Sequence, residues 1–196
     1  MDGLPVWATA YLPDGDRVLI TRNGAIAVLD ADDARVVWRF DQGEYPKRAW
    51  VQDGLLYVVG DGGLKEIEVG VGVAARWSKL LSNTVENAVV TDGLVVASSY
   101  GMQLAAYDHA SVAFTGLLED LPDYPKALAV VRGADDVPHL LVGCRTGLLS
   151  LYRLDRRPDP RRGRPVFSKL RDHWLPRRPV PYTLRHHTDD TLPAPV

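Results

Sequence analysis

The chain has 196 residues and a mass of 21.6 kDa, and its hydrophobic fraction of 46% suits one well-buried domain. No window approaches eighteen consecutive apolar residues, and the first residues do not join a basic start to an apolar core, so the sequence predicts neither a membrane span nor a secretory signal. Residues 1–144 hold 11 Lys and Arg against 20 Asp and Glu, whereas residues 145–196 hold 12 against 5, so an acidic body carries a basic C-terminal part.

The same pair of turn residues recurs at a fixed interval along the acidic body. Asp-Gly pairs stand at Asp14 and Gly15, at Asp53 and Gly54, and at Asp92 and Gly93, and both intervals are 39 residues. Each pair is followed by an apolar run, a second turn and another apolar run, and the second turns contain Gly24, Gly62 with Gly63, and Gly101. Asp-Gly between apolar runs indicates a β-hairpin, because both residues tolerate the positive φ of tight turns.

Aromatic residues mark the last strand of each of these units. Trp38 and Trp77 are again 39 residues apart, and Phe114 lies 37 residues further on. A fourth, less regular unit follows, in which DYPKALAV repeats EYPKRAWV of residues 44–51 after 79 residues. We predict that its closing strand is 164–170 and that the basic stretch 155–163 is an inserted loop.

A unit of about 39 residues with four short apolar runs is typical of a propeller blade. We therefore predict an all-β protein, a β-propeller of about four blades with four antiparallel strands each and an extended, proline-rich C-terminal tail. The predicted blades are 5–42, 46–81, 85–120 and 124–170, and the tail is 171–196. Helices are excluded because glycine or Asp-Gly interrupts every run within about eight residues.

The repeat resembles that of pyrroloquinoline-quinone-type propellers. The resemblance rests on a glycine turn, a strand ending in Leu-Asp, a polar turn and a strand ending in tryptophan, here Gly24, Leu29, Asp30 and Trp38. The second unit has Glu68 in place of the aspartate, and the third has Tyr107 and Asp108 with Phe114 in place of the tryptophan. The resemblance covers roughly residues 7–155 and implies that the tryptophans pack between blades. We expect the turn aspartates to bind nearby backbone N–H groups.

Quinone-type propellers usually close with seven or eight blades, so four units leave the ring open to interpretation. A compact four-bladed ring, a half-ring completed by a second copy or another protein, and an open array are all compatible with the sequence. We favour a closed four-bladed ring, and a homodimer sharing eight blades is the next expectation. An incomplete ring exposes apolar blade faces, which favours association.

No catalytic constellation is recognisable, and we expect a non-enzyme without cofactor or metal. Quinone-dependent members are far longer and need a metal site and a catalytic aspartate that have no recognisable match here. Cys144, in an apolar run, is interpreted as a buried structural thiol. The HHTDD of residues 186–190 has metal-binding residue types but lacks the fixed geometry of a metal site.

The basic C-terminal part is the predicted binding region. Arginines at this density fit an acidic protein better than nucleic acid, because no aromatics lie between the arginines of 156–164 to stack bases and the acidic body repels polyanions. The tail is pre-extended by proline and carries apolar anchors, so it either straps the chain's own blades or docks on a partner. The predicted partner-binding residues are Arg156, Arg157, Arg161, Arg162, Arg164, Trp174, Arg177, Arg178 and Tyr182.

Together these observations favour a cytoplasmic, non-catalytic scaffold or protein–protein interaction module whose tail docks another protein. The alternative is a small-ligand sensor or reduced enzyme that uses the central channel, because propeller mouths are concave.

Overall fold

The computed structural model of the chain describes residues 5–77, 81, 83–134, 136–155, 157 and 165–175. Over these residues the secondary structure is entirely β-strand and turn, so the all-β prediction is confirmed. The described part contains no helix that could cross a membrane.

The strands form four antiparallel sheets of four consecutive strands, as predicted for four blades. Blade 1 contains β1 (Val6–Tyr11), β2 (Arg17–Thr21), β3 (Ala25–Leu29) and β4 (Val36–Asp41). Blade 2 contains β5 (Pro46–Gln52), β6 (Leu55–Gly60), β7 (Gly63–Glu68) and β8 (Gly72–Trp77). Blade 3 contains β9 (Val85–Thr91), β10 (Leu94–Ser99), β11 (Gln103–Asp108) and β12 (Phe114–Leu118). Blade 4 contains β13 (Pro125–Arg132), β14 (Pro138–Cys144), β15 (Leu148–Leu154) and β16 (Phe167–Trp174).

The Asp-Gly pairs occupy the first turn of blades 1, 2 and 3. Asp53 and Gly54 have φ of 51° and 79°, and Asp92 and Gly93 have φ of 51° and 75°, the two positive values that a type I′ hairpin requires. In blade 1 the loop is longer, and only Gly15 has a positive φ, of 96°. The same Asp-Gly pair therefore forms two tight hairpins and one wider turn.

The second turn of the blades does not always use its glycine as expected. The residue at the junction of this turn and the third strand has positive φ at Gly24, Gly63 and Gly147, but in blade 3 it is Met102, with φ of 56°. Gly101, the expected turn glycine, lies one position earlier. Blade 3 thus holds a methionine in the left-handed region that glycine occupies at the equivalent position of the other blades.

Three apolar clusters join the blades in sequence. One packs blade 1 on blade 2 around Val18, Ile20 and Leu56, a second packs blade 2 on blade 3 around Tyr57 and Ala97, and a third packs blade 3 on blade 4. No such cluster among the described residues joins blade 4 to blade 1. The first strands are neighbours across these interfaces, because β1 contacts β5, β5 contacts β9 and β9 contacts β13. They form the inner side of the array.

The repeat aromatics differ in burial. Trp77 is 2% exposed and lies between blades 2 and 3, and Trp38 is half-buried against blade 2 and stacks on Phe40. Phe114 is 48% exposed and touches only the edge of the Tyr107 ring among the described aromatics. The smaller ring at the third position is thus the most exposed of the three repeat aromatics.

The last strand lies further along the chain than predicted. β16 runs from Phe167 to Trp174, so residues 171–174, expected in the tail, extend blade 4. The reason is that these four residues contain no proline and can pair with β15, and the prolines begin at Pro176. The tail beyond Leu175 and most of the basic insertion lie outside the described residues.

Candidate interaction surface

Aromatic rings and cationic side chains form a continuous band at one end of the blades. We name it the cation–aromatic band, and its members are Trp7, Arg22, Tyr45, Lys47, Tyr100, Tyr124 and Lys126. Residues of all four blades contribute to it.

The fold brings these residues together because the first strand begins at the same end of each blade as the turn between its second and third strands. Backbone hydrogen bonds fix that turn to the entry of the first strand. The N–H of Asp61 donates to the Tyr45 carbonyl at 3.1 Å, and the N–H of Arg145 donates to the Tyr124 carbonyl at 2.9 Å. In blade 3 the N–H of Tyr100 donates to the Thr84 carbonyl at 3.1 Å. The band is therefore positioned by backbone that repeats from blade to blade.

The approach of Tyr45 to the turn of blade 2 also requires a glycine. A Cβ on Gly60 would lie 2.0 Å from the Tyr45 carbonyl oxygen, far inside van der Waals contact. Gly60 thus allows the entry of the first strand to lie directly against the turn. As a result, the side chain of Tyr45 is held in the cation–aromatic band.

Each cation of the band faces two rings. The Arg22 guanidinium lies 5.8 Å from the Trp7 ring and 5.9 Å from the Tyr45 ring. The Lys47 ammonium lies 5.0 Å from both the Tyr45 and the Tyr100 rings. These distances are within the range of cation–π attraction.

The fourth-blade end of the band contains a carboxylate. Glu86 forms an ion pair with Lys126 and accepts a hydrogen bond from the Tyr124 hydroxyl at 2.8 Å. Burial, followed by hydrogen bonding with Tyr100 and with Glu86, raises the pKa of Tyr124 well above its usual value, so this phenol stays neutral. Among the described residues no carboxylate forms an ion pair with Arg22 or Lys47.

The surface of the band is accessible and concave at one point. Trp7 is 48% exposed and Tyr100 is 40% exposed. An open cavity of about 610 Å³ adjoins the band and is lined by Pro5, Arg22, Asn23, Tyr45 and Asp61. Its size is that of a small-ligand or side-chain pocket.

Of the predicted partner-binding residues, the structure describes Arg157 and Trp174. Arg157 is exposed after β15, and Trp174 is 57% exposed at the end of β16, opposite Leu148. The remaining predicted residues lie outside the described part of the chain: Arg156, Arg161, Arg162, Arg164, Arg177, Arg178 and Tyr182. Their role in partner binding stays a prediction.

The cation–aromatic band was not predicted, although the sequence contains a signal for it. Tyr-Pro-Lys occurs at residues 45–47 and again at 124–126. The repetition marks the start of blades 2 and 4, and its side chains also lie at one surface. Trp7, Arg22 and Tyr100 join them only through folding, since nothing in their local sequence links them.

Titratable residues away from the band serve blade packing. Glu66 accepts hydrogen bonds from the Tyr57 hydroxyl and from His109 Nε2, each at 2.8 Å, and the His109 ring stacks on Trp77 at 5.8 Å. Burial and then the bond to Glu66 raise the pKa of Tyr57 far above its usual value. Because His109 belongs to blade 3 and the other three to blade 2, the group links two blades.

Among the ionic contacts of the described residues, the one formed by Lys65 is the most buried. Its side chain is 2% exposed, and its ammonium pairs with Glu44 and donates to the Gln42 carbonyl at 3.0 Å and to Gln42 Oε1 at 2.6 Å. Burial lowers the pKa of Lys65, although Glu44 opposes this change. The contact connects blade 2 to the segment that leaves blade 1.

Cys144 has the environment expected of a structural thiol. It is half-buried against the cluster between blades 3 and 4, and burial raises its pKa to about 11. A thiol with that pKa is protonated at neutral pH and is a poor nucleophile. Within the described ranges, no three His, Cys, Asp or Glu residues group as metal ligands do.

Comparison with known proteins shows the fold. No protein-family model and no curated protein matches the chain. Among solved structures, BBS1N in complex with ARL6DN is 19% identical with a TM-score of 0.60, covering 86% of this chain and 53% of that one. The computationally designed Ika8 protein is 14% identical with a TM-score of 0.63, covering 76% of this chain and 46% of that one. The designed Ika4 protein is 15% identical with a TM-score of 0.59, covering 79% and 94%.

The chain thus has a β-propeller-like fold, and it spans about half the length of BBS1N and of Ika8. At these identities the likeness extends to the fold alone. The expected resemblance to the quinone-type repeat is supported at the level of the propeller, and no family match identifies the quinone type.

Proposed function

We propose that the chain is a non-catalytic protein-interaction module, and that the cation–aromatic band binds an acidic, extended segment of a partner protein. The observation that carries the proposal is the unbroken succession of rings and cations across the blades, in which Trp7, Tyr100 and Lys126 are exposed. Trp, Tyr and Arg are the residues that contribute most binding energy in protein interfaces.

The charges of the band favour an acidic partner. Since Arg22 and Lys47 have no carboxylate partner within the described structure, carboxylates of a bound segment would pair with them without displacing an existing ion pair. The rings beside them offer flat apolar area, and the cavity lined by Tyr45 accepts a side chain. BBS1N, with a similar fold, was solved in complex with ARL6DN, which agrees with a binding role for such a fold.

Capture from an extract of the source cell tests this proposal. The full chain is compared with Lys47→Glu and Tyr100→Ala, and retained proteins are read by mass spectrometry. The control is Arg35→Glu, which makes the same charge change on an exposed arginine in the β3–β4 turn, at the opposite end of blade 1. Circular dichroism checks that every variant is folded.

We expect one or more proteins with an acidic segment to be retained by the wild type and the control, and lost with both band variants. Retention should also fall as salt rises, because exposed charges are screened. Recovery of the same proteins with all four chains would contradict the assignment of the band.

The predicted role of the basic tail is tested by deletion after Leu175, which leaves β16 complete. If the tail docks the partner, this deletion abolishes capture while the β-sheet circular dichroism is unchanged. If the β-sheet signal collapses instead, the segment is a strap for the blades.

The alternative function, a small-ligand sensor or reduced enzyme in the channel, remains a proposal with a simple test. Thermal stabilisation by pyrroloquinoline quinone or by a divalent metal would support it, since a ligand that binds only the folded state raises its stability. An unchanged unfolding temperature with both ligands would contradict this alternative function.

A further inference from the structure

The two faces of each blade have different neighbours. We call the side toward the preceding blade the N-face and the side toward the following blade the C-face. At all three interfaces the C-face of one blade packs on the N-face of the next. The N-face of blade 1 and the C-face of blade 4 therefore have no neighbouring blade in the described structure.

The free C-face of blade 4 is apolar over its three inner strands. Strand registers place Ala129, Leu141 and Leu151 in one row, and Ala127, Gly143 and Leu149 in the next. The outer strand β16 continues these rows with Arg171 and His173. The corresponding row of blade 3 consists of Val89, Val96 and Ala106, which pack in the cluster between blades 3 and 4. The free face thus has the composition of a covered one, yet Ala127 and Ala129 are exposed and Leu141, Leu149 and Leu151 are half-buried.

The free N-face of blade 1 has the complementary position. Its central row is Thr9, Leu19 and Ala27, continued by Arg39 in the outer strand, and the next row is Tyr11, Arg17 and Leu29. Tyr11 is 68% exposed and Leu19 is half-buried. The equivalent row of blade 2 holds Ala49, Val58 and Lys65, which lie against blade 1.

We infer that these two faces bind each other in a second copy of this chain, so that two chains form one ring of eight blades. The occupant follows from the interfaces already present, since a C-face meets an N-face three times within the chain and the free pair is of that same kind. Two copies related by a two-fold axis satisfy both free faces at once, because each blade 4 covers the other chain's blade 1. Covering these faces removes apolar surface from water.

Light scattering with size-exclusion chromatography on the full chain tests the inference. At micromolar concentration we expect a mass twice that of the 21.6 kDa chain. Ala129→Arg on the C-face and Thr9→Arg on the N-face alter residues that are exposed in the single chain, so the blades should still fold. Each variant should halve the measured mass. Val71→Arg, at a 74% exposed position in the β7–β8 turn, is the control and should leave the mass unchanged.

Mixing the two interface variants identifies which faces pair. The Thr9→Arg chain keeps a normal C-face and the Ala129→Arg chain keeps a normal N-face, so their mixture should contain a two-chain species that neither variant forms alone. A wild-type chain with the mass of one copy would overturn the inference. So would a Thr9→Arg chain that stays dimeric, which would mean pairing of blade 4 with blade 4, or a mass that grows steadily with concentration, which would mean an unclosed array.

Discussion

Blades 2 and 3 are covered on both faces, whereas blades 1 and 4 are covered on one, and their strands show it. In β6 and β10 all positions except Leu55 are buried, because alternate side chains point to two different neighbouring blades. In β14 and β15 burial alternates residue by residue, because every second side chain points to an uncovered face. Strands of similar apolar composition thus have different burial according to their place in the array.

This difference indicates that stability is concentrated in the inner blades. A substitution on a covered face removes contacts with two sheets, whereas the same substitution on a terminal face removes contacts within one. Comparing matched positions in the two kinds of blade therefore measures what a neighbouring blade contributes.

The largest effect is expected at the covered N-face of blade 2. Lys65→Met leaves Glu44 and Gln42 without the ammonium that they surround. Breaking a fully buried ion pair costs about 3–5 kcal/mol, and this is an upper bound here because the Glu44 side chain is 31% exposed and keeps Arg76 at 3.7 Å. Lys169→Met in blade 4 removes a more exposed partner of Asp172 and should cost less than about 1 kcal/mol. Urea unfolding of both variants checks the contrast, and equal costs would refute it.

A smaller difference in the loss of folding stability is expected between two leucines at equivalent positions of blades 3 and 4. Leu104 in β11 is fully buried between blades 3 and 4, and Leu149 in β15 points to the free C-face of blade 4. Leu104→Ala should cost about 2–5 kcal/mol, the usual range for a core leucine. Leu149→Ala should cost about 1 kcal/mol, since it loses little covered area.

The measurement is denaturant unfolding at protein concentrations low enough to keep the chain a single copy. At higher concentration the cost of Leu149→Ala should rise if the free face is covered by a second chain. A Leu149→Ala cost that matches that of Leu104→Ala in the dilute chain would show that another part of the chain covers this face.

The change in stability caused by a substitution in an exposed turn should not depend on whether its blade is covered on one face or on both. Ala34 in blade 1 and Val112 in blade 3 occupy equivalent turns, and both have φ of 58°. Glycine relieves the crowding that an L side chain suffers there, so Ala34→Gly and Val112→Gly should each stabilise the fold by up to about 1 kcal/mol. We expect the larger gain at Val112, because a β-branched residue is the more strained. Thermal unfolding measures it, and a loss of stability at either position would contradict this account.

The smallest effect concerns acid sensitivity of the same turns. A hydrogen bond from Ser111 lowers the pKa of Asp108, and backbone N–H groups of Asp32 and then Asp33 lower that of Asp30. A carboxyl whose pKa is depressed in the folded state stabilises the fold above its unfolded pKa, near 4, and this stabilisation is lost as pH falls through the lower, folded value.

Asp108→Asn and Asp30→Asn should therefore lower stability at pH 7 slightly and make it less dependent on pH below about 4. Urea midpoints from pH 7 to pH 2 provide the comparison. An unchanged pH profile in both variants would show that these turns do not contribute to acid unfolding.

The local parts of this protein could be predicted from its sequence. Type I′ hairpins at Asp53 and Asp92 follow from residues that tolerate positive φ, and the turn aspartates bind backbone N–H groups as expected, with Asp30 accepting from Asp32 at 2.9 Å and Asp108 from Ser111 at 2.8 Å. The left-handed Met102 could not be predicted, because the glycine beside it offered a lower-energy alternative. The predicted end of blade 4 was short because pairing with β15, a tertiary contact, extends β16 to Trp174.

The sequence by itself determined the 39-residue repeat, the strands and their tight turns, because these depend on residues that are close along the chain. Only the tertiary structure decided which apolar faces are covered and which aromatic rings contact cations in the cation–aromatic band. Trp77 is buried by its packing against blade 3, and Lys47 meets Tyr100 only after blades 2 and 3 have packed. Contacts of this kind, between residues in different blades, are encoded by no local pattern, whereas the Tyr-Pro-Lys pairs are adjacent in the sequence.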